Sequence, residues 1–282
     1  MRQLLGPIAA ALVLAALFTP GAVWPASTKA GFAANDERST SPRAAAPLTV
    51  GADASDLSQI VYLPLVMRAD VSFASIYWGA MVDGQPPTTA SLQFCGRGDA
   101  GETRLRKKMS ILHWGQPWRM NGSEVPFQTE YFNNARAHGS IPLLDWGSWA
   151  LGGGAAQPDF QLSAISAGLQ DDYIRQWATD AKAWGHPFFL RFDAEMNGNW
   201  NLWSERLNGN AAGQFVAMWR HVHDIFASVG ANNVTWVWCP NIDSSTMIPM
   251  AALYPGDAYV DWMCFDGDNK YNAWLSFETV FT

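Results

Sequence analysis

Asp193, Glu195, Asn197, Asn199, Trp200, Asn201 and Trp203 fall within eleven residues, directly behind an apolar run, Phe188–Phe192. A carboxyl gives and takes protons, an amide pairs with hydroxyls, and an indole offers a flat apolar face with one N–H donor. Hydrophobic burial alone does not gather those types at the end of a strand. Together they suit a site that handles a neutral, hydroxyl-rich ligand. Other apolar runs close in a similar way, with Tyr77-Trp78, His113-Trp114, Asp145-Trp146, Trp236-Val237-Trp238 and Asp266. For one or two strands a terminal Trp simply caps a core; for five of six, a shared rim is the better reading.

The elements that must position these groups alternate along the chain. Strand-like runs occupy 71–78, 109–114, 141–146, 188–193, 234–238 and 259–266. Between them lie helical patterns. In "DDYIRQWATDAKAWG" the residues Tyr173, Ile174, Trp177, Ala178, Ala181 and Trp184 share one face, with acids at the start and Gly185 at the end. "AAGQFVAMWRHVHDIFASVG" repeats the design, and "PFQTEYFNNARAHG" is a shorter version. Strand, helix, glycine, strand is the grammar of βα units around a parallel sheet. The spacing points to an α/β fold of the (β/α)8 TIM-barrel type with about six of eight units present, in which all strand ends meet at one rim. No G-x-G-x-x-G follows the first strand, which removes the dinucleotide-binding reading.

Composition narrows the ligand. Only 15% of the 282 residues are charged and the net charge is −7, a balance that argues against nucleic acid as a partner. The 15 tryptophans serve cores and sugar-stacking platforms equally well. Residues 1–30, with Arg2 followed by "LLGPIAAALVLAALF", read as a signal peptide, and residues 31–70 as a disordered linker; the barrel domain is 71–282. The product is then secreted, with membrane contact only if the leader stays uncleaved. Cys95, Cys239 and Cys264 allow one disulfide and require none. "DGDN" (266–269) lacks the full calcium-loop pattern, so no metal and no cofactor are assigned.

"LRFDAEMNGNWNLW" resembles the acid/base motif of glycoside hydrolase family 26, the secreted endo-β-mannanases and their relatives. "VTWVWCPN" (234–241) and "YPGDAYVDWMCFDGDN" (254–269) agree with that family in order and spacing. The resemblance runs from Ile76 to about Tyr271, and is strong after Leu190. It implies a monomeric, retaining glycosidase acting on β-1,4-mannan or a related β-glycan such as glucan or xylan, with Glu195 as general acid/base. Retaining hydrolysis needs two carboxyls roughly 5–5.5 Å apart, and a donor whose pKa is raised. Met196, Trp200 and Trp203 stand near enough in sequence to desolvate Glu195. The substrate-binding set is His113, Trp114, Asp145, Trp146, Asn197, Trp200, Trp203, Trp238 and Asp266. His113 fits a satisfied core histidine equally well. Asp193 is favoured as an acceptor for backbone or indole N–H groups, and Arg191 needs Asp145, Asp193 or the nucleophile as its partner.

Three departures from the family stand out. Ala194 occupies a position that is often His, and Asp268 one that is often Tyr, for which Tyr271 is a possible substitute. Both positions touch the grip on the sugar rather than the class of reaction. The family's nucleophile is a Glu on the seventh strand, beyond the last motif here; Glu278, in a helix-like stretch, does not replace it. The chain is therefore expected to be truncated and inactive by itself. The alternative is a carbohydrate-binding pseudo-enzyme that keeps the aromatic groove.

Overall fold

The computed structural model of the chain describes residues 12–13, 79–81, 87, 109–242, 246–267 and 275–281, all within one compact unit. The linker, the first strand expected at 71–78, Cys95, Asp268, Tyr271 and all of the leader except residues 12–13 lie outside the described residues. In chain order the strands are β1 (Leu12–Val13), β2 (Gly79–Met81), β3 (Ile111–Met120), β4 (Ser123–Glu124), β5 (Ile141–Leu151), β6 (Phe188–Phe192), β7 (Val234–Trp238), β8 (Trp262–Met263) and β9 (Phe265–Asp266). The α-helices are α1 (Thr129–His138), α2 (Leu162–Ser166), α3 (Asp171–Trp184), α4 (Gln214–Val229) and α5 (Phe277–Phe281).

The main sheet runs β2-β3-β5-β6-β7-β8, every neighbouring pair parallel; β4 pairs antiparallel with β3 as a short flap, and β1 pairs with β9 in a separate ladder. Each new strand adds beside its predecessor, which is the singly wound order of a (β/α) barrel; a doubly wound sheet reverses direction midway. The sheet does not close among the described residues. The helices form for the reasons legible in their patterns. α3 opens with Asp171 and Asp172 and stops at Gly185 (φ 74°), whose N–H bonds to Ala181 O. Its buried stripe of Tyr173, Ile174, Trp177, Ala178 and Ala181 packs on the sheet beside that of α4.

Register sorts the strand residues into two faces. Partner positions place Leu143 beside Phe189, Asp145 beside Arg191, and Val237 beside both Arg191 and Trp262. With alternation along each strand, His113, Leu143, Asp145, Arg191 and Val237 share the interior face. Trp114, Leu144, Trp146, Leu190, Trp236 and Trp238 share the other face, which the helices cover. That outer layer is a continuous aromatic core: Trp146 lies 4.7 Å from Trp177 and 4.8 Å from Trp118 between ring centres. Two strands, β3 and β5, run several residues beyond their expected ends, because the β4 flap and the paired extension keep their backbone groups satisfied. The expected last strand is instead broken into β8 and β9.

Candidate active site

Past Phe192 the chain leaves the sheet through two left-handed residues, Asp193 (φ 42°) and Glu195 (φ 55°). Such a conformation costs of order 1 kcal/mol or more for a residue with a Cβ, and it collects at functional sites. Here it is fixed by the two neighbouring strands: Asp193 N–H donates to Trp146 O at 3.1 Å, and Glu195 N–H to Cys239 O at 2.8 Å. Ala194 and Met196 are buried on either side, while Glu195 stays half-exposed. Both oxygens of its carboxyl are held. Trp200 Nε1 donates to Oε2 at 2.7 Å, and Asn241 Nδ2 donates to Oε1 at 3.0 Å. The Trp200 ring is 46% exposed, so an open indole face adjoins the carboxyl. Trp203 is half-buried and donates its Nε1–H to Ala194 O at 2.8 Å.

Asp193 is buried and accepts from Ser148 N at 2.7 Å and from Ser148 Oγ at 2.7 Å. Burial pushes its carboxyl up to about 8, against the two Ser148 hydrogen bonds that pull it down. It braces the strand end and does not face a ligand.

On the interior face, Arg191 links two acids. Its Nη1 lies 3.2 Å from Asp145 Oδ2 and its Nη2 bonds to Asp266 Oδ2, while His113 Nε2 lies 2.9 Å from Asp145 Oδ2. One guanidinium cannot neutralise two carboxylates. Burial pushes Asp145 up, but Arg191 and His113 outweigh it and hold the carboxyl below its ordinary value. Asp266 goes the other way. Burial drives it well above the ordinary range, Arg191 opposes, and the negative charges of Glu195 and Asp145 add to the rise.

The structure brings Glu195, Trp200 and Trp203 together, and gathers His113, Asp145 and Asp266 around Arg191, with Asp266 also joined to the Glu195 carboxyl. Five residues expected to bind substrate are placed elsewhere. Trp114, Trp146 and Trp238 are almost fully buried on the helical face, with Trp238 Nε1 donating to Leu253 O at 3.2 Å. Asp266 has no exposed surface. Asn197 is likewise fully buried, its amide engaged with the backbone of Asn241 and with Met247 Sδ, out of reach of a sugar hydroxyl. Sequence reasoning also assigned no role to Asn241, three residues past the end of β7, or to Ser148, which partners Asp193. The cysteines resolve into a buried Cys239–Cys264 disulfide joining the ends of β7 and β8. Among the described residues these sulfurs and Asp266 make the one group close enough to share an ion, and a disulfide has no thiolate to offer.

A sequential parallel sheet with a carboxyl and an exposed indole past a strand's C-terminal end is the architecture of a barrel glycosidase. Residues 138–280 match the model of glycosyl hydrolase family 26, and the chain belongs to that family. It is similar to Endoglucanase H of Acetivibrio thermocellus, 33% identical over 218 residues that cover 72% of this chain and 22% of the relative. Among solved structures it is similar to a β-mannanase from a symbiotic protist of the termite Reticulitermes speratus, complexed with gluco-manno-oligosaccharide (21% identity, 64% of this chain, 61% of that one, TM-score 0.47). Another is the family 26 domain of a Prevotella bryantii endo-β-mannanase/endo-β-glucanase (19% identity, 66% and 65% covered, TM-score 0.47). The chain thus spans about a fifth of the length of Endoglucanase H and under two thirds of that of the protist enzyme.

Proposed function

We propose that the chain carries the acid/base part of a secreted, retaining glycoside hydrolase site for β-1,4-mannan or a related β-glycan, with Glu195 as general acid and base. The observation that carries this reading is the half-exposed Glu195 carboxyl beside the open face of Trp200. Family membership supports the reaction class. The names of the relatives support β-glycans, with glucan set beside mannan by Endoglucanase H. The apolar leader after Arg2 supports export. In a retaining reaction Glu195 would donate its proton to the departing sugar oxygen while a second carboxylate bonds to the anomeric carbon, and would then take a proton from the water that releases the sugar. Trp200 offers a flat apolar surface for a pyranose face.

A second reading, carbohydrate binding without hydrolysis, draws on one observation. Asp145 and Asp266, the other acids of the interior face, are both tied to Arg191, and neither stands ready as nucleophile. One experiment separates the two. The chain is assayed on mannan, β-glucan and xylan beside Glu195→Gln, with oligosaccharide binding measured for both. Turnover that falls about 10²–10⁴-fold in the variant, and less on aryl glycosides, supports the acid. Equal losses on both substrate types refute it, and binding with no turnover in the unaltered chain favours the second reading.

A further inference from the structure

Asn197 pairs its side-chain amide with the backbone of one residue and turns its Nδ2 toward Met247 Sδ as well, at 3.5 Å. Its Oδ1 accepts from Asn241 N at 2.9 Å and its Nδ2 donates to Asn241 O at 2.9 Å. An antiparallel strand residue makes the same reciprocal pair with its partner, so the amide serves as a single rung of ladder. The Asn197 carbonyl also accepts from Ile248 N at 2.9 Å, pinning the far end of the loop after β7. The same device recurs between Asn208 and Gln157 (2.7 and 2.9 Å), where it staples two loops and no reactive group follows. At Asn241 one does: its side chain reaches Glu195 Oε1. Of the N–H donors on that carboxyl, Trp200 belongs to the loop that carries Glu195, and Asn241 ties it to the end of β7, beside the Asp266 carboxyl of β9, which also pairs with Glu195.

We propose that Asn197 is a positioning residue for the acid: by holding the Asn241 backbone, it keeps the Asn241 amide on Glu195 Oε1 and so fixes the carboxyl beside the exposed Trp200 ring. Oε2 is the atom beside the exposed indole, where a sugar stacks. In the acid step the carboxyl O–H bond breaks and the proton joins the glycosidic oxygen, which keeps the electron pair of the breaking carbon–oxygen bond while a carboxylate nucleophile forms the new bond to the anomeric carbon. This inference rests on the reading of Glu195 as the acid.

The test uses the full 282-residue chain with 15N-labelled asparagine. The Asn241 side-chain amide signal is identified by its loss in Asn241→Ala. Glu195→Gln should shift it, and Asn197→Ala should shift it comparably. Asn197→Asp, which keeps the shape and loses the NH2 donor to Asn241 O, serves if the alanine variant does not fold. In the unaltered chain the Asn197 side-chain amide should exchange slowly with D2O, a measurement that needs no variant. An unmoved Asn241 signal in a folded variant, or fast exchange in the unaltered chain, overturns the proposal. Where the chain turns over, Asn197→Ala should lower kcat tenfold or more on oligosaccharides and less on aryl glycosides, with KM unchanged; equal losses overturn it. Should Glu195→Gln keep full turnover, the acid reading falls, and the amide signals still report on the clamp.

Discussion

Asp193→Asn should make the protein more stable as pH rises, although it removes a carboxyl that accepts two hydrogen bonds. Folding raises this carboxyl from 3.8 to about 8, chiefly by burial. Below 3.8 both the folded and unfolded chains carry the proton, and the contribution to stability is whole. Between 3.8 and about 8 the unfolded chain has lost the proton and the folded chain has kept it, so stability falls with pH. It levels off once the folded carboxyl ionises. The full slope is about 1.4 kcal/mol per pH unit, hence about 4 kcal/mol between pH 4.5 and 7.5. Asparagine imitates the neutral acid: its oxygen accepts from Ser148 N, and its NH2 donates to Ser148 Oγ. Urea unfolding of both proteins at pH 4.5, 6 and 7.5 measures the difference, and the other titrating groups cancel. Near-equal stability at pH 4.5, opening to several kcal/mol in favour of the variant at pH 7.5, is expected. A variant less stable by the same amount at every pH would mean that Asp193 is buried as a carboxylate, and would refute the reasoning.

Trp200→Ala should weaken oligosaccharide binding by about 1 kcal/mol with little change in Tm, because its ring is open and stacks rather than packs. Trp203→Ala should instead cost about 2 kcal/mol of stability, through lost packing and the lost bond to Ala194 O; a melting scan beside a binding titration separates the two. Arg191→Met should destabilise by about 3 kcal/mol by stranding Asp145, and Asp145→Asn in the same chain should recover part of it. Reducing the Cys239–Cys264 bond, which spans 25 residues, should cost about 3 kcal/mol; an unchanged urea midpoint under reductant would show that the loop needs no cross-link.

What the sequence made legible was local chemistry, and what it hid was the identity of partners. The stripes of α3 and α4 and the runs of β6 and β7 lie where periodicity and flanking glycines put them, because each is decided within about a dozen residues. The faces of the strands are different. A parallel strand buried on both sides is apolar at every position, so alternation carries no signal, and Trp114, Trp146 and Trp238 look the same whether they line a groove or a helix-covered core. The charged residues were the usable cue. His113, Asp145 and Arg191 are needed on the inner face, and once they are placed there, the adjoining Trp114 and Trp146 must point outward. Asn197 escaped for another reason. An amide offers one donor group and one acceptor whether the partner is a sugar hydroxyl or a peptide unit, and the peptide unit that claims it lies 44 residues later. The acid motif is thus local in sequence while the groups that hold its carboxyl are not, for Glu195 takes one donor from five residues away and the other from β7's end. Substitutions around such a site fall into two kinds. Those inside the 193–203 stretch change what the acid touches, and those at Ser148, Asn197 or Asn241 change where it is held.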